Sequence, residues 1–433
     1  MNVNNNANTI NFKGYDARKL KAVVMNTNYA GLADEVKKIG DIENFEVLLL
    51  QNKGGRHILK RDEFERSTEF KGAWAQDYWG ITKNTLLARD NLCDQTFQWR
   101  ILFGLKPNQT QLKVQKESGL ERISEYMDFL YNLPIINKQG KDYVQIATND
   151  GIEEVEKAIY DVEFNINKDL LKNLSIRCHI KGGNYFLTKN ANGNDDLIIG
   201  KEELKKFSIP ELKEMFEVEN VHIIPQADYH LDLFIRPLND KKVLIADDET
   251  MYNTIAEGFK RVQELIISKP TVERIKYKEL FVNMGTYLKV FKEIIQQNPY
   301  ANMQDVEKAL IEGGYEPIKV PARLFEIQKT EANETSKSYI LNQLHNYINA
   351  FVHINDNNEL IYVTNKSNLD ETLGLTPKLQ EELGFSFEKA FLDSVKPHVD
   401  KVYFVSGEDN KIAKEILPEY FGGIHCLTME VPR

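Results

Sequence analysis

A two-part pattern recurs along the sequence and limits the folds open to it. A strand-like segment that starts with glycine or polar residues is followed, after a turn, by a plain apolar segment. Turn residues such as Asn355-Asp-Asn-Asn separate the two parts, so each pair predicts a β-hairpin. Repetition of one small unit indicates an architecture of similar modules. The five units begin at Trp74, Gly182, His230, Asn349 and Gly422.

Helix and strand signals lie between these hairpins. Two capping boxes and a Thr-Pro pair predict helix starts, and apolar runs after them predict strands. The helix starts are at Ser118, Ser208 and Thr376, the last helix running on through Phe391, and the strands are at 132–136, 221–224 and 402–405. An initial strand, helix and strand are predicted at 21–25, 32–39 and 45–50.

Helix, strand and hairpin, repeated about five times, predict an α/β fold: a five-module α/β propeller in which each hairpin starts near a central channel. We expect one catalytic domain at 13–433, preceded by a flexible Asn-rich tail at 1–12. The stretch 254–314 carries helical apolar stripes and is longer than one connecting helix requires. It is therefore interpreted as a helical insertion, and whether it covers the channel is left open.

Composition limits the partners and the compartment. The net charge of −10 argues against nucleic acid or an acidic membrane as a partner, because both require a basic surface. The sequence shows neither a signal peptide nor a transmembrane run, so the default expectation is a cytoplasmic protein, with signal-independent export as the alternative. The cysteines Cys93, Cys178 and Cys426 form no disulfide pattern. Oligomeric state is left open.

Chemically useful residues stand at the starts of the five hairpins. They include two carboxylates, Asp77 and Asp232, the imidazole of His230, and the thiol of Cys426. A thiol requires activation to attack at neutral pH, and His230 is the best-placed base. His425 is the rival, but as a neighbour of Cys426 on a strand it should point to the opposite face. Two carboxylates suit a cationic, planar guanidinium substrate.

Four motifs, in order, resemble those of the guanidine-modifying pentein superfamily, deiminase type, which includes peptidylarginine, agmatine and arginine deiminases. They are Trp74-Ala-Gln-Asp77, Gly182-Gly-Asn184, His230-Leu-Asp232 and Gly422-Gly-Ile-His-Cys426. The resemblance implies a five-module α/β propeller. We expect no cofactor, and no metal because no third ligand accompanies His230 and Asp232 at a recognisable spacing. It also implies that Cys426 is the nucleophile, that His230 is the general acid/base, and that Asp77 and Asp232 hold the substrate nitrogens. Trp74 and Asn184 complete the predicted substrate-binding set.

The resemblance implies hydrolysis of a guanidino group to a ureido group and ammonia through a covalent cysteine intermediate. Lys181 stands where arginine and agmatine deiminases carry an acidic residue, which favours arginine in a peptide, a protein or a derivative as the substrate. Two alternatives stay open. The same intermediate could serve an amidinotransferase, or the propeller could be a catalytically silent binding module.

Each motif also has a structural interpretation. Cys426 could be a buried structural thiol. His230 and Asp232 could be a metal-binding pair, although no third ligand follows at a recognisable spacing. Asp77 alone would be read as a turn or helix-capping carboxylate. The four motifs together favour the catalytic interpretation.

Overall fold

The computed structural model describes residues 18–26, 30–53, 56–60, 75, 79–81, 86–88, 135–148, 151–156, 180, 182–189, 194–239, 241–297, 303–329, 339–420 and 422–432. Short sheets of two to four strands alternate with helices, so the fold class is mixed α/β, as predicted.

Within these residues the strands are β1 (Leu20–Asn26), β2 (Glu46–Lys53), β3 (Arg56–Lys60), β4 (Trp79–Ile81), β5 (Leu86–Ala88), β6 (Ile135–Lys138), β7 (Lys141–Thr148), β8 (Gly151–Glu156), β9 (Tyr185–Lys189), β10 (Asp195–Gly200), β11 (Asn220–Ile224), β12 (Ile235–Pro237), β13 (Lys242–Ala246), β14 (Glu316–Val320), β15 (Arg323–Lys329), β16 (Tyr339–Asn346), β17 (Phe351–Ile354), β18 (Leu360–Asn365), β19 (Lys401–Val405) and β20 (Thr428–Pro432). The helices are α1 (Ala30–Glu43), α2 (Ile209–Phe216), α3 (Asp248–Ser268), α4 (Thr271–Arg274), α5 (Lys278–Gln297), α6 (Met303–Glu312), α7 (Leu369–Thr372), α8 (Pro377–Leu383), α9 (Phe387–Val395), α10 (Leu417–Tyr420) and α11 (Ile424–Leu427).

Four of the described sheets share one connection pattern. Their central strands are β1, β10, β13 and β18, each paired antiparallel with one neighbour and parallel with the other. One or more helices lie in the chain between the parallel strands, because a parallel pair requires a crossover connection. The repeated unit predicted from the sequence is therefore present four times. A closed ring of five such modules stays a prediction.

The strand that pairs with the segment after Gly422 comes from a distant part of the sequence. Strand β20 pairs antiparallel with β1, with Met429 opposite Val24 and Thr428 opposite Met25. The strand β1 then continues into α1 and the parallel strand β2. This pairing completes the unit that carries Cys426.

Apolar side chains join these units to one another. One buried cluster includes Ile198 of β10, Ile245 of β13, Val306 of α6 and Tyr362 of β18, and so connects three units. A second cluster connects the unit that contains β1 to the unit that contains β18, because Val23 of β1 belongs to it together with residues of β17 and β18. Burial of apolar surface across the joints fixes the units side by side.

Local signals set the helix boundaries. Ser208 caps α2 with a complete capping box that includes the Glu211 side chain, as the sequence predicts. The prediction of a single helix from Thr376 through Phe391 is wrong, because this segment forms two helices. The first, α8, ends at Gly384, whose φ of 58° interrupts the helix, and Ser386 caps the start of α9.

The predicted helical insertion is largely helical in its described residues. Helices α3 and α5 bury Met251, Ile255 and Met284 in a cluster that also contains Leu373 and Phe387. The apolar stripes of this segment therefore pack on the α7–α9 segment of the unit that follows it.

An antiparallel meander of β6, β7 and β8 was not predicted as a whole. The strand expected at 132–136 overlaps β6, which pairs with β7. Gln139 and Gly140 both have positive φ, 51° and 80°, and Lys138 pairs with Lys141 across the turn. Two consecutive positive φ angles are typical of the tight hairpin turn whose twist matches the strands.

Candidate active site

The starts of four hairpin units meet around the Cys426 side chain. A 3₁₀ turn at Gly182–Asn184 precedes β9, and a second at Leu231–Leu233 precedes β12. The turn before β17 contributes Asn349, and α11 before β20 contributes the thiol. The equivalence of these positions in the repeated unit explains why residues far apart in the sequence lie together.

Cys426 is buried and contacts two polar side chains. Its sulfur lies 3.2 Å from Asp232 Oδ2, and the amide Nδ2 of Asn349 donates to the sulfur at 3.1 Å. The side chain is 5% exposed. Burial and the negative charge of Asp232 raise the pKa of the thiol well above its ordinary value, although the Asn349 amide acts in the opposite direction. The thiol therefore carries its proton at neutral pH.

His425 lies on the same side as Cys426, contrary to the prediction that it points away. Its Nδ1 is 2.7 Å from Asp232 Oδ2, the oxygen that also contacts the thiol. The prediction was wrong because residues 424–427 form a helical turn rather than a strand. Neighbouring side chains on a helix are about 100° apart instead of opposite, so both reach Asp232.

Asn349 holds Cys426 by both ends of its amide group. In addition to the Nδ2 contact with sulfur, its Oδ1 accepts the backbone N–H of Cys426 at 3.2 Å. Its Nδ2 also lies 3.3 Å from the backbone oxygen of Asp232. The sequence predicts that Asn349 lies at the start of a hairpin, near the other candidate residues, but its residue type did not indicate a role.

Two further buried asparagines hold this arrangement in place. Asn365 accepts the backbone N–H of Ile424 at 2.7 Å and donates to the backbone oxygens of Asn346 and Asn349. Asn346 accepts from the backbone N–H of Asn349 and donates to the backbone oxygen of Leu233. Buried amides that satisfy one another in this way fix the turns of three units relative to each other.

The Gly182-Gly-Asn184 motif supports the turn that carries Asp232. A Cβ on Gly183 would lie 2.6 Å from Asp232 Oδ1, so only glycine allows this approach. Asn184 is 1% exposed, and its Oδ1 accepts from Gln226 Nε2 and from the backbone N–H of Leu231. A substrate contact for Asn184 stays a prediction.

His230 stands at the start of the same turn, two residues before Asp232. Its ring stacks on Tyr229 with centroids 4.3 Å apart and an angle of 28° between the planes. Tyr229 is 60% exposed, whereas Nε2 of His230 is buried. Its role as general acid/base stays a prediction.

The remaining predicted positions fall elsewhere. Trp74, Asp77 and Lys181 lie outside the described residues, and so do Cys93 and Cys178. Among the residues that the structure describes, no group of three His, Cys, Asp or Glu side chains is arranged to hold a metal ion. No helix in the described ranges is both long and apolar enough to cross a membrane.

No protein-family model matches the sequence, and no curated protein matches it either. A similar solved structure is an agmatine deiminase from C. jejuni, 11% identical to this chain. The alignment covers 96% of this chain and 94% of that chain with a TM-score of 0.37. A likeness at this level does not define an activity, which has to be argued from the side chains.

Proposed function

We propose that the protein is a cysteine-dependent hydrolase that converts a guanidino group into a ureido group and ammonia. One observation carries the proposal: Asp232 Oδ2 contacts both the Cys426 sulfur and His425 Nδ1, at 3.2 and 2.7 Å. A thiol beside a carboxylate supplies the nucleophile and the cation-binding group that covalent catalysis at a guanidinium carbon requires, and His425 fixes that carboxylate from its other side. The motifs from Trp74 to Cys426 support the same chemistry.

Substrate charge explains how a protonated thiol becomes reactive. Before substrate binds, burial and Asp232 hold the pKa of the Cys426 thiol high. A guanidinium cation bound by the Asp232 carboxylate offsets that negative charge and favours the thiolate. Carboxylates recognise guanidinium groups through paired N–H donors, and Asp77 is the second proposed carboxylate. The enzyme thus activates its nucleophile only when a cation is in place.

The proposed reaction has two steps. The Cys426 thiolate attacks the central guanidinium carbon, one nitrogen takes up a proton, and ammonia leaves as its C–N bond breaks. Water then attacks the same carbon, the C–S bond breaks, and the ureido product and the free thiol are released. His230 is the proposed proton carrier in both steps. General acid/base help of this kind contributes about 10²- to 10⁴-fold.

The proposed substrate is arginine within a peptide, a protein or an arginine derivative. Lys181 precedes the Gly182-Gly-Asn184 motif, and it replaces the acidic residue found there in the enzymes that act on free arginine or agmatine. The exposed ring of Tyr229 beside His230 is compatible with a substrate that extends beyond the guanidino group.

The test measures ureido product and ammonia after incubation with arginine, agmatine, methylated arginine and an arginine-rich peptide. We expect product from at least one of them, loss of turnover in Cys426→Ala, and wild-type turnover in Cys178→Ala, which removes a thiol that has no assigned role. Product from none, by a folded protein, would count against the proposal. Amidino transfer to added glycine, lysine or ornithine would identify an amidinotransferase instead.

A further inference from the structure

A line of charged side chains runs from the candidate site into the protein. Arg236 of β12 is 2% exposed, and its Nη2 lies 2.5 Å from Glu430 Oε1 of β20. Glu430 Oε1 in turn lies 3.7 Å from His425 Nε2, and His425 Nδ1 contacts Asp232. Guanidinium, carboxylate, imidazole and carboxylate therefore follow one another and end at the Cys426 thiol.

Both nitrogens of the His425 ring face a carboxylate. Nδ1 lies at hydrogen-bond distance from Asp232 Oδ2, 2.7 Å. Nε2 lies 3.7 Å from Glu430 Oε1, which is too long for a hydrogen bond. The His425 ring is therefore held between the two carboxylates, with its direct contact on Asp232.

Arg236 fixes the far end of the line. A guanidinium does not lose its proton in a protein, so Arg236 presents a fixed positive charge to Glu430. Among the described residues its Nε and Nη1 have no hydrogen-bond partner, which leaves Glu430 as its described ionic partner. The ring of Phe186 lies 5.2 Å from the guanidinium carbon and 5.8 Å from the His425 ring. The Arg236 side chain is 2% exposed and that of Glu430 is 24% exposed, so the ion pair is partly shielded from water and is stronger than a surface pair.

We propose that His425, Glu430 and Arg236 are positioning residues for Asp232. This inference rests on the proposed function, because its purpose is to hold an ionised carboxylate beside the thiol. The contact of His425 Nδ1 with Oδ2 fixes the orientation of the Asp232 carboxylate. Glu430 lies against the other side of the His425 ring, and the ion pair with Arg236 holds Glu430 in place.

Other ionisable groups of the described residues lie around this line. His230 lies two residues before Asp232 in the same turn. The thiol of Cys426 contacts Asp232 Oδ2, the oxygen that His425 also contacts. Tyr362 of β18 interacts electrostatically with Arg236. Glu203 lies one hydrogen bond beyond Asn184. Because none of these replaces a carboxylate at His425 Nε2, Glu430 is the position to change.

The test is Glu430→Gln, which keeps the side-chain shape and removes the charge. We expect kcat/KM to fall about tenfold, with KM rising more than kcat falls, because the Asp232 carboxylate that binds the guanidinium is then less firmly oriented. The matched control is Glu415→Gln, which removes a surface ion pair with Lys411 and should leave both constants unchanged. Glu430→Gln kinetics equal to those of the control overturn the proposal.

A second readout does not depend on turnover. The rates at which Cys426 reacts with cationic 2-chloroacetamidine and with neutral iodoacetamide are compared, and their ratio reports the negative charge beside the thiol. We expect the ratio at pH 8 to fall several-fold in Glu430→Gln and to stay unchanged in Glu415→Gln. An unchanged ratio in a folded Glu430→Gln protein overturns the positioning role. A lowered ratio in a protein without guanidine turnover supports the positioning role and rejects only the proposed function.

Discussion

The side-chain amide of Asn349 makes two hydrogen bonds to Cys426: its Nδ2 donates to the sulfur and its Oδ1 accepts from the backbone N–H of Cys426. One side chain therefore fixes both the position of the proposed nucleophile and the direction from which its sulfur receives a hydrogen bond. A donor to sulfur also stabilises a thiolate relative to a thiol.

Asn349→Asp tests this relationship because it preserves shape but replaces the donor with a carboxylate. We expect kcat/KM to fall by about 10²- to 10³-fold, the loss typical of removing one fixed donor from a site that stabilises developing charge. Steady-state kinetics measure the loss, and thermal unfolding checks the fold. Asn357→Asp is the matched control, since Asn357 is exposed in the turn before β18 and should retain wild-type activity. Equal activity of the two variants would refute the role of Asn349.

Asp232→Asn should separate thiol reactivity from catalysis. The charge of Asp232 is one of the causes that raise the pKa of the Cys426 thiol, so its removal lowers that pKa and increases the thiolate fraction at a given pH. If the shift is one pKa unit, alkylation by neutral iodoacetamide at pH 8 becomes about tenfold faster, while guanidine turnover is lost.

Alkylation rates from pH 6 to 10 check this prediction, with Cys426→Ala as the background that corrects for the other two cysteines. Slower alkylation of Asp232→Asn than of the wild type across the whole range would contradict the proposed electrostatics.

Gly183→Ala should displace the Asp232 carboxylate. The new Cβ would stand 2.6 Å from Oδ1, which is closer than non-bonded atoms allow, so the carboxylate or the turn has to move. Because 1 Å of misplacement at a reacting centre costs about 10²-fold, we expect kcat/KM to fall by at least that factor. Kinetics and thermal unfolding are measured together.

Gly285→Ala is the control for this substitution. Gly285 lies inside helix α5, and its Cβ would meet the Phe259 ring at 3.5 Å, an ordinary contact. Alanine in a helix interior is favoured over glycine by about 0.5–1 kcal/mol, so this variant should be active and at least as stable as the wild type. Wild-type kinetics for Gly183→Ala would show that the close approach is unimportant.

Glu43 is expected to make stability depend on pH. Its side chain is fully buried and accepts hydrogen bonds from Tyr403, Asn355 and Lys401. Burial alone would raise the pKa of Glu43, but these hydrogen bonds outweigh it and lower the pKa. A carboxyl group with a lowered pKa in the folded state stabilises the fold above its unfolded pKa, and the stabilisation is lost as the pH falls.

Glu43→Gln should therefore reduce the free energy of unfolding by about 1–3 kcal/mol at pH 7, the cost of breaking buried hydrogen bonds to a charged group. The difference from the wild type should shrink as the pH falls below 4.5, the ordinary value for this carboxyl. Urea denaturation at several pH values measures both effects. Asp41→Asn, at an exposed side chain near Lys37, should change stability by less than about 0.5 kcal/mol. An equal loss at all pH values would contradict the assigned linkage.

Local patterns in the sequence were sufficient to predict much of the fold. Apolar runs located β11, β18 and β19, and the capping box at Ser208 located α2. These features depend on neighbouring residues, which is why periodicity and capping rules identify them. The same repetition placed Asp232, Asn349 and Cys426 at equivalent positions, and the structure brings these three together.

Features that depend on distant parts of the chain were missed. The pairing of β20 with β1 joins opposite ends of the described chain, and no local pattern encodes it. The orientation of His425 follows from the helical conformation of residues 424–427. That conformation is stabilised by contacts of Gly423 and Ile424 with the distant Asn365, which the local sequence does not reveal. The tight turn at Gln139 was missed because glutamine is an unusual residue at positive φ.

The pairing of β20 with β1 also sets an order for biosynthesis. A ribosome makes β1 before the other described strands and β20 after them, so one edge of β1 stays without its native partner while the intervening units are made. An unpaired strand edge is open to incorrect association, and a nascent chain has to tolerate or cover it. Since Cys426 lies two residues before β20, the thiol joins the site only after the other described units have been made. Nascent chains that have not reached Cys426 should therefore lack the proposed activity.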